Sequence, residues 1–575
     1  MFAQDCPATG WRDGAAAARP SAMITGAALL LDLLRANDVE FVFGNPGTTE
    51  LPLVDAFTAE HARGDTAIRY ILGLNEVVVL GMADGYAQAT GRLAVANLHA
   101  APGLGNAMGM LYNAAKAGAP ILVTAGQQDT TIALTEPLLW ADLATLARPL
   151  VKWSAEVTRL EDLPRTIHRA AKVALTAPTG PVFVSIPGDV LTATTESIDA
   201  MAPTRIGPVR GDPAAIAIAA AMIAASVSPV VFAGDAVPRS GGYAALAAFA
   251  EAIGAPVYLE GMANTAAFPS NHPLYAGSVA RMTPAVRALT DGHDLVISIG
   301  ADLLTQSQAA GVEALAPGKA LIHLDDDAWQ IGKNFPATAI LGDVAATLPK
   351  LTAAVLARMA PADARRGEVE AALAAKQAAL IARAEAEADL LPLRPLAVLR
   401  AIGQCLPDDA IVVEETLSTG MNTVRQLMAA TRPDSWFGMR GGGIGVALPQ
   451  AIGIKLAFPD RPVVALSGDG SAMYAIQALW TAAHYRLGIV AVIVNNRSYR
   501  ILKQRTRALA GPSAAADAYV GMDLTEPAID FVRLGEGQGV PAVRVATLPE
   551  LRAAIARGLA GPGPLLIEVA MDAAI

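Results

Sequence analysis

The sequence predicts an α/β protein built from three doubly wound parallel-sheet domains. Three observations lead there. At 575 residues the chain is far too long for one hydrophobic core. Short, continuous apolar runs such as Ile489 to Val494 alternate along most of its length with segments of helical pattern. Many of those runs end in Gly, Asn or Asp, as strands buried on both faces do where they turn into a crossover helix.

Composition narrows the class. Hydrophobic residues make up 53 % of the chain and charged ones only 17 %, which predicts large interiors or subunit interfaces. A net charge of −10 argues against nucleic acid or an anionic membrane as partner. Cys6 and Cys405 are the only cysteines, so there is no disulfide framework and a cytoplasmic location is expected. Residues 1–21 contain acidic residues and no apolar stretch, and read as a disordered extension rather than a signal peptide. No charge occurs between Asp212 and Asp235, a length that would cross a bilayer. Its Ala content and the Ser228-Pro229 break read instead as a helix followed by a strand.

Taken in order, residues 22–187 alternate strand and helix: EFVFGNPG, RYILGLN, a helix over Glu76 to Thr90, LAVANLHAAPG, PILVTAGQ and PVFVSIP. That alternation predicts a doubly wound first domain. Residues 188–207, rich in Thr, Pro and Ala, read as a linker. A second α/β domain is expected over 208–360, with strands VVFAGD, APVYLEG, HDLVISIGAD and KALIHLDDD. The Ala- and charge-rich stretch 361–391 reads as a helical linker. The third domain, 392–575, holds AIVVEET, the glycine-rich GMRGGGIGVALPQAIG and PLLIEVA. The first and third domains are of similar size and kind, with a different domain between them.

The most informative stretch is Ala465 to Leu502. An apolar run ends in Ser467-Gly468-Asp469-Gly470, a helical segment follows from near Ser471, and a second run ends in Asn495-Asn496. In a βαβ unit ligands gather at the carboxyl ends of the strands. Asp469 and Asn496 offer hard oxygen donors there, Gly468 and Gly470 permit a tight turn, and a helix start faces an anion. The set suits Mg²⁺ bridging protein to a diphosphate. This segment resembles the diphosphate- and metal-binding motif of thiamine-diphosphate (ThDP) enzymes. The resemblance implies metal ligation by Asp469, Asn496 and the Ser498 carbonyl. It also implies the three-domain plan of pyrimidine-binding, central and diphosphate-binding domains over about 22–570.

Glu76, at the junction of an apolar strand and an apolar helix, is costly to bury unless paired. NEVVVLGMADGYAQATGR resembles the segment bearing the family's catalytic glutamate. The resemblance implies that Glu76 activates the cofactor, and that it meets cofactor held mainly by another subunit, as a homodimer or homotetramer. The branch it resembles is benzoylformate decarboxylase, through Phe43 to Pro52, Asn97-Leu98-His99, Gly103 to Ala107, Ala125 to Gln128, Pro149 to Ser154 and Ser471 to Tyr485. In that branch a first-loop serine and two histidines serve the reacting centre. Here the serine position holds Thr48, a departure that keeps the hydroxyl and adds a methyl, and the histidines are His99 and His272, a residue type suited to proton transfer near neutrality. Ile444 corresponds to the bulky wedge that bends the cofactor, within a Gly441–Leu448 loop whose Gly442 approaches it. Glu415, Ser418 and Thr419 are expected beside the pyrimidine or diphosphate.

Two positions depart from an aryl-substrate pattern: Gly438 and Arg505 stand where the branch tends to place aromatics. NNRSYRILKQR resembles acetolactate-synthase-like relatives instead; Arg500 or Arg505 near the mouth either favours an acidic or polar substrate or is merely solvated, and the solvated state is the expectation. The expected activity is ThDP- and Mg²⁺-dependent, non-oxidative decarboxylation of an arylglyoxylate-like 2-oxo acid. A ThDP carboligase joining two carbonyl compounds is the alternative, and a non-catalytic member the third reading.

Overall fold

In a computed structural model, the described residues are 23–196, 201, 203–307, 310–420 and 423–575. The expected extension over 1–21, with Cys6, lies outside them. The chain begins its described part with a two-stranded antiparallel pair, β1 (Met23–Thr25) and β8 (Thr194–Glu196). The stretch 188–207, expected as a linker, begins with a short helix (Gly188–Thr192) and β8.

Three six-stranded, wholly parallel sheets follow. The first contains β2 (Phe41–Gly44), β3 (Arg69–Leu72), β4 (Ala94–Leu98), β5 (Ile121–Gln127), β6 (Ser154–Glu156) and β7 (Val182–Pro187), in the order β3-β2-β4-β5-β7-β6. The central sheet contains β9 (Pro229–Ala233), β10 (Val257–Leu259), β11 (Tyr275–Ser278), β12 (Leu295–Ile299), β13 (Ala320–Asp325) and β14 (Thr338–Leu341), in the order β11-β10-β9-β12-β13-β14. The third contains β15 (Ile411–Glu415), β16 (Trp436–Gly438), β17 (Val463–Gly468), β18 (Ile489–Asn495), β19 (Ala542–Val545) and β20 (Leu565–Ala570), in the order β16-β15-β17-β18-β20-β19. Counted within each domain, the first and third sheets both read 2-1-3-4-6-5, and the central sheet reads 3-2-1-4-5-6. The order reverses between β2 and β4 in the first sheet and between β15 and β17 in the third. Ligand crevices open at such switch points, beyond the carboxyl ends of the strands.

The inner strands are apolar on both faces because helices cover both. All seven residues of β5 and of β18 are buried. Among the described residues no helix is long and apolar enough to cross a membrane; the 212–235 stretch forms the Pro213–Ala225 helix and then β9.

One helix pair joins the first and third domains. The Glu76–Thr90 helix starts where Asn75 caps Val77 N–H and ends at Gly91, whose φ of 65° suits glycine. It crosses the Ala447–Ala457 helix, with which it forms part of one large apolar core. The approach is close: a Cβ on Gly85 would meet the Gln450 carbonyl oxygen at 2.3 Å, and one on Gly453 the Met82 carbonyl oxygen at 2.0 Å. At the crossing Gln450 donates to the buried Asp84 carboxyl (2.6 Å) and Gln88 donates to it as well (2.8 Å).

The central and third domains are tied by a buried ionic cluster. The Arg440 guanidinium contacts Glu260, and Asp302 at 3.0 Å. Arg425 lies over the Trp436 ring and donates to the carbonyls of Thr265 (2.8 Å) and Ala263 (2.7 Å). Burial pushes the Glu260 carboxyl up to about 8, against the pull of Arg440.

Candidate active site

The anion-facing half of the site is built where β17 and β18 end side by side. Asp469 and Asn496 are buried, and Ser498 links them. Its N–H donates to Asp469 Oδ2 (3.2 Å) and its hydroxyl to Asn496 Oδ1 (3.0 Å). One carboxylate, one amide oxygen and a neighbouring backbone carbonyl make a hard donor set that fits a small divalent cation. Arg497, between Asn496 and Ser498, has a left-handed φ of 57°, a strained conformation for a non-glycine residue. A Cβ on Gly468 would meet nothing within 4 Å, so open space adjoins the turn. The single helix expected from near Ser471 is corrected: a four-residue helix, Asp469–Ala472, stops and a separate one, Ala478–His484, follows.

At the neighbouring switch-point strand, Glu415 ends β15. Its buried carboxylate accepts the N–H groups of Gly445, Val446 and Ala447 at 2.5 to 3.0 Å. Glu415 therefore fixes the loop that carries half-buried Ile444 and exposed Gly442. Both Gly442 (φ 85°) and Gly445 (φ 97°) adopt a backbone that favours glycine. Burial pushes the Glu415 carboxyl up to about 7, opposed by those three N–H groups. Ser418 and Thr419 lie on the short Leu417–Gly420 helix, where their hydroxyls accept from Arg500 at 3.2 and 2.9 Å. Arg500 also reaches the Asp572 carbonyl (3.1 Å) and is buried, so the expectation that it is solvated is corrected.

The acid-bearing half lies at the switch point of the first sheet. Glu76 is buried, 7 % exposed, and both carboxyl oxygens are held by amides: Asn45 Nδ2 donates to Oε1 (3.2 Å) and Asn106 Nδ2 to Oε2 (3.0 Å). Asn106 sits on the Ala100–Ala117 helix, two turns before Asn113. Asn113 in turn accepts from Gly443 N–H (3.0 Å) and donates to the Gly443 carbonyl (2.7 Å). One helix face thus spaces the glutamate and the glycine loop by about 10 Å, at 1.5 Å per residue.

His99 follows β4 and precedes Ala100, whose φ of 46° is again left-handed. Its Nδ1 lies 2.8 Å from Glu50 Oε2 and 3.2 Å from the Thr49 hydroxyl. Glu50 is almost fully buried and also accepts from Gly47 N–H and Gly126 N–H. With Nδ1–H donating to that carboxylate, the neutral ring keeps Nε2 as its free base. The ring fits because residue 47 is glycine: a Cβ there would come within 2.1 Å of it. Thr48 is exposed on the same turn.

His272 is not brought to either half within the chain. It precedes β11, at the amino end of the central sheet, where Nε2 meets Glu251 (3.1 Å) and Nδ1 accepts from Leu274 N–H (3.1 Å). Its ring packs on Phe268. Glu50, Asn45, Asn106 and Asn113 are contributors that sequence reasoning missed. The spacing Glu50–His99 carries no motif, since a fold brings the two together across two strands.

Comparison with known proteins accords with this arrangement. Residues 24–142 match the model of the thiamine pyrophosphate enzyme N-terminal TPP binding domain, 216–351 that of the central domain, and 418–569 that of the C-terminal TPP binding domain. The chain is 35% identical over 542 residues to a benzoylformate decarboxylase of Pseudomonas aeruginosa, covering 94% of this chain and 97% of that one. It is 31% identical to a putative acetolactate synthase large subunit of Mycobacterium tuberculosis, covering 96% and 100%. Among solved structures, a thiamine diphosphate-dependent 4-hydroxybenzoylformate decarboxylase of Rhodococcus jostii RHA1 superimposes with a TM-score of 0.83 at 33% identity, covering 96% and 99%. A benzoylformate decarboxylase of Polynucleobacter necessarius does so with a TM-score of 0.85 at 30% identity, covering 96% and 99%.

Proposed function

Because the chain belongs to the thiamine-diphosphate-dependent 2-oxo acid decarboxylase/synthase family, as a carboxy-lyase, we propose that it converts a 2-oxo acid to an aldehyde and CO₂ without oxidation. The observation that carries this reading is the pairing of two half-sites. A buried glutamate is held between two amides, and a carboxylate–amide donor set closes a glycine turn. Thiamine diphosphate, when bound, supplies the electron sink into which the carboxylate's bonding pair is released. Asp469, Asn496 and the Ser498 carbonyl would hold Mg²⁺ and so supply positive charge for a diphosphate at the turn that Gly468, Gly470 and Ser471 line. The Glu415-anchored loop sets Ile444 as the wedge and brings Gly442 alongside. Glu76 presents a fixed carboxyl to the pyrimidine ring. Thr48 offers a hydroxyl to the substrate carboxylate. His99, oriented through Nδ1 by Glu50, holds or delivers a proton at Nε2.

The active form in this reading is a homodimer or homotetramer. Large apolar side chains stand exposed on the first domain, Leu134 at 98 % and Leu138 at 82 %, and offer surface for a second copy. The scarcity of cysteine suits a reducing cytoplasm.

The test is a decarboxylation screen over aryl, branched and acidic 2-oxo acids with ThDP and Mg²⁺, following CO₂ and aldehyde. Activity lost in Glu76→Ala and Asp469→Ala is expected; turnover that survives both overturns the reading. The likeness to acetolactate synthases supports the second reading, a carboligase. In that case added aldehyde diverts the product to a hydroxyketone.

A further inference from the structure

The residues that precede Ile444 have little stiffness of their own. Gly441, Gly442 and Gly443 follow one another, and Gly442 takes a left-handed φ of 85°. Glycine has no side chain to restrict its backbone, so the course of such a run is set by whatever holds its ends. Beyond Ile444 the hold is Glu415, which accepts from Gly445, Val446 and Ala447. Within the run it is Asn113 of the first domain, through Gly443. Before the run stands Arg440.

Arg440 is held by the central domain. Its side chain is 6 % exposed and reaches across the domain boundary. Nη1 contacts the Glu260 carboxyl, donates to the Met262 carbonyl (2.9 Å) and lies 3.7 Å from Asp235. Nη2 lies 3.0 Å from Asp302. Glu260 follows β10, Asp235 follows β9 and Asp302 follows β12. These strands are neighbours, and the order of the central sheet reverses among them, between β9 and β12. In a sheet of order 3-2-1-4-5-6 that crevice is where a dinucleotide binds, with an acid beyond the second strand for its ribose. Here the second strand is β10 and the acid is Glu260, and an arginine of another domain engages it. The turns beside it are drawn together: Gly234 N–H donates to the Ile299 carbonyl and Ala236 N–H to the Gly300 carbonyl, both at 3.1 Å. A Cβ on Gly234 would come within 2.3 Å of the Gly300 oxygen.

The central and third domains are joined without Arg440 as well. Arg425, on the short Val424–Leu427 helix, donates to the carbonyls of Ala263 and Thr265. What sets Arg440 apart is its place, with three glycines between it and Ile444. Burial opposes a charge on its guanidinium, but the surrounding carboxyls outweigh burial and keep the proton on. Several directional, charge-assisted contacts fix such a fork in one geometry.

We propose that Arg440 is a positioning residue: the central domain grips it, and through it fixes the glycine run that presents Gly442 and Ile444 to the cofactor. This rests on the reading above, in which ThDP lies against that loop. The central domain lends no side chain to either half of the site, and acts on it at one remove.

The experiment uses the full chain with Mg²⁺. It follows calorimetric ThDP affinity and, at saturating ThDP, kcat and KM for the best 2-oxo acid of the screen. Arg440→Met is expected to weaken ThDP binding about 10-fold, the scale of a hydrogen bond to a charged group. Its kcat should fall about 100-fold, as small displacements of a positioned group do, while KM stays within about threefold. Arg440→Lys, which keeps the charge without the fork, should recover part of both losses. Glu260→Ala should reproduce the losses from the other side of the boundary. The double variant should lose no more than either single one, because both remove the same contact. Arg440→Met with kcat and ThDP affinity within about threefold of the wild type overturns the proposal, even where its thermal midpoint drops, since that is the result for a residue that only joins two domains. Losses that multiply in the double variant overturn it too. Should no 2-oxo acid be turned over, the decarboxylase reading falls, and ThDP affinity across the same variants decides the part of Arg440 alone. If Arg440→Met fails to fold by circular dichroism, Arg440→Lys and Asp302→Asn carry the same comparisons.

Discussion

Each acidic side chain at the centre is given one task by its hydrogen-bond partners. Glu76 meets two side-chain amides, Glu50 meets a histidine, and Glu415 meets three backbone N–H groups. Glu76, Glu415 and Asp469 were legible in the sequence, Asp469 through the spacing of its motif, Glu76 through the resemblance of its segment and Glu415 through its place after a strand. Glu50 was not, since its partner lies 49 positions away and meets it only after β2 and β4 pair. His272 showed the reverse: the resemblance implied a role for it, but it precedes β11 at the amino end of the central sheet, where it meets Glu251 and Leu274. Replacing Glu50 with Gln leaves an amide where the imidazole N–H needs a carboxylate. Its kcat is expected to fall about 100-fold, the scale of general acid–base assistance. The acid limb of the pH–rate profile should move, while calorimetric ThDP affinity stays within about threefold. An unchanged profile would show that Glu50 does not orient His99.

Among elements, the inner strands were legible and the missed ones were all at sheet edges. β6, β11, β14, β16 and β19 each close one side of a sheet. They are short; β11 alternates buried and half-buried positions, and β6 and β19 are mostly half-buried or exposed. An edge strand has one neighbour and one well-covered face, so its sequence lacks the continuous apolar run. The helix crossing of the first and third domains was also hidden, because glycines at 85 and 453 announce flexibility in a sequence and close approach only in a fold. That crossing carries a pH dependence. Burial pushes the Asp84 carboxyl up to about 6, opposed by the two glutamine amides. In the unfolded chain it titrates near about 3.9. The folded state thus binds the proton more tightly, and the stability this contributes is full below pH ~4 and lost as pH rises through ~6. The wild type is expected to lose on the order of 2 to 3 kcal/mol between those limits relative to Asp84→Asn. The difference in thermal midpoints at pH 4.5 and 7.5 measures it, and a difference that does not change with pH refutes it.

At the scale of the whole molecule, three domains and their class followed from length and alternation, but the equal strand order of the outer two did not. Register and order depend on which strands pair, and nothing local encodes that. If a second copy completes the site, Glu76→Ala and Asp469→Ala enzymes damage opposite halves. Mixed after mild dissociation, the two inactive proteins are expected to regain part of the wild-type rate, read as CO₂ release, because some centres then combine two intact halves. Mixtures that stay silent would place both halves of every centre on one polypeptide.

The shared 2-1-3-4-6-5 order has a last consequence. Two scaffolds of the same design offer the same kind of crevice, yet only one carries the proposed cation donors and only the other the proposed activating acid. On that proposal the labour is divided between twins, so neither can drift without idling its counterpart, and a lesion in either sibling registers as the same silent catalyst.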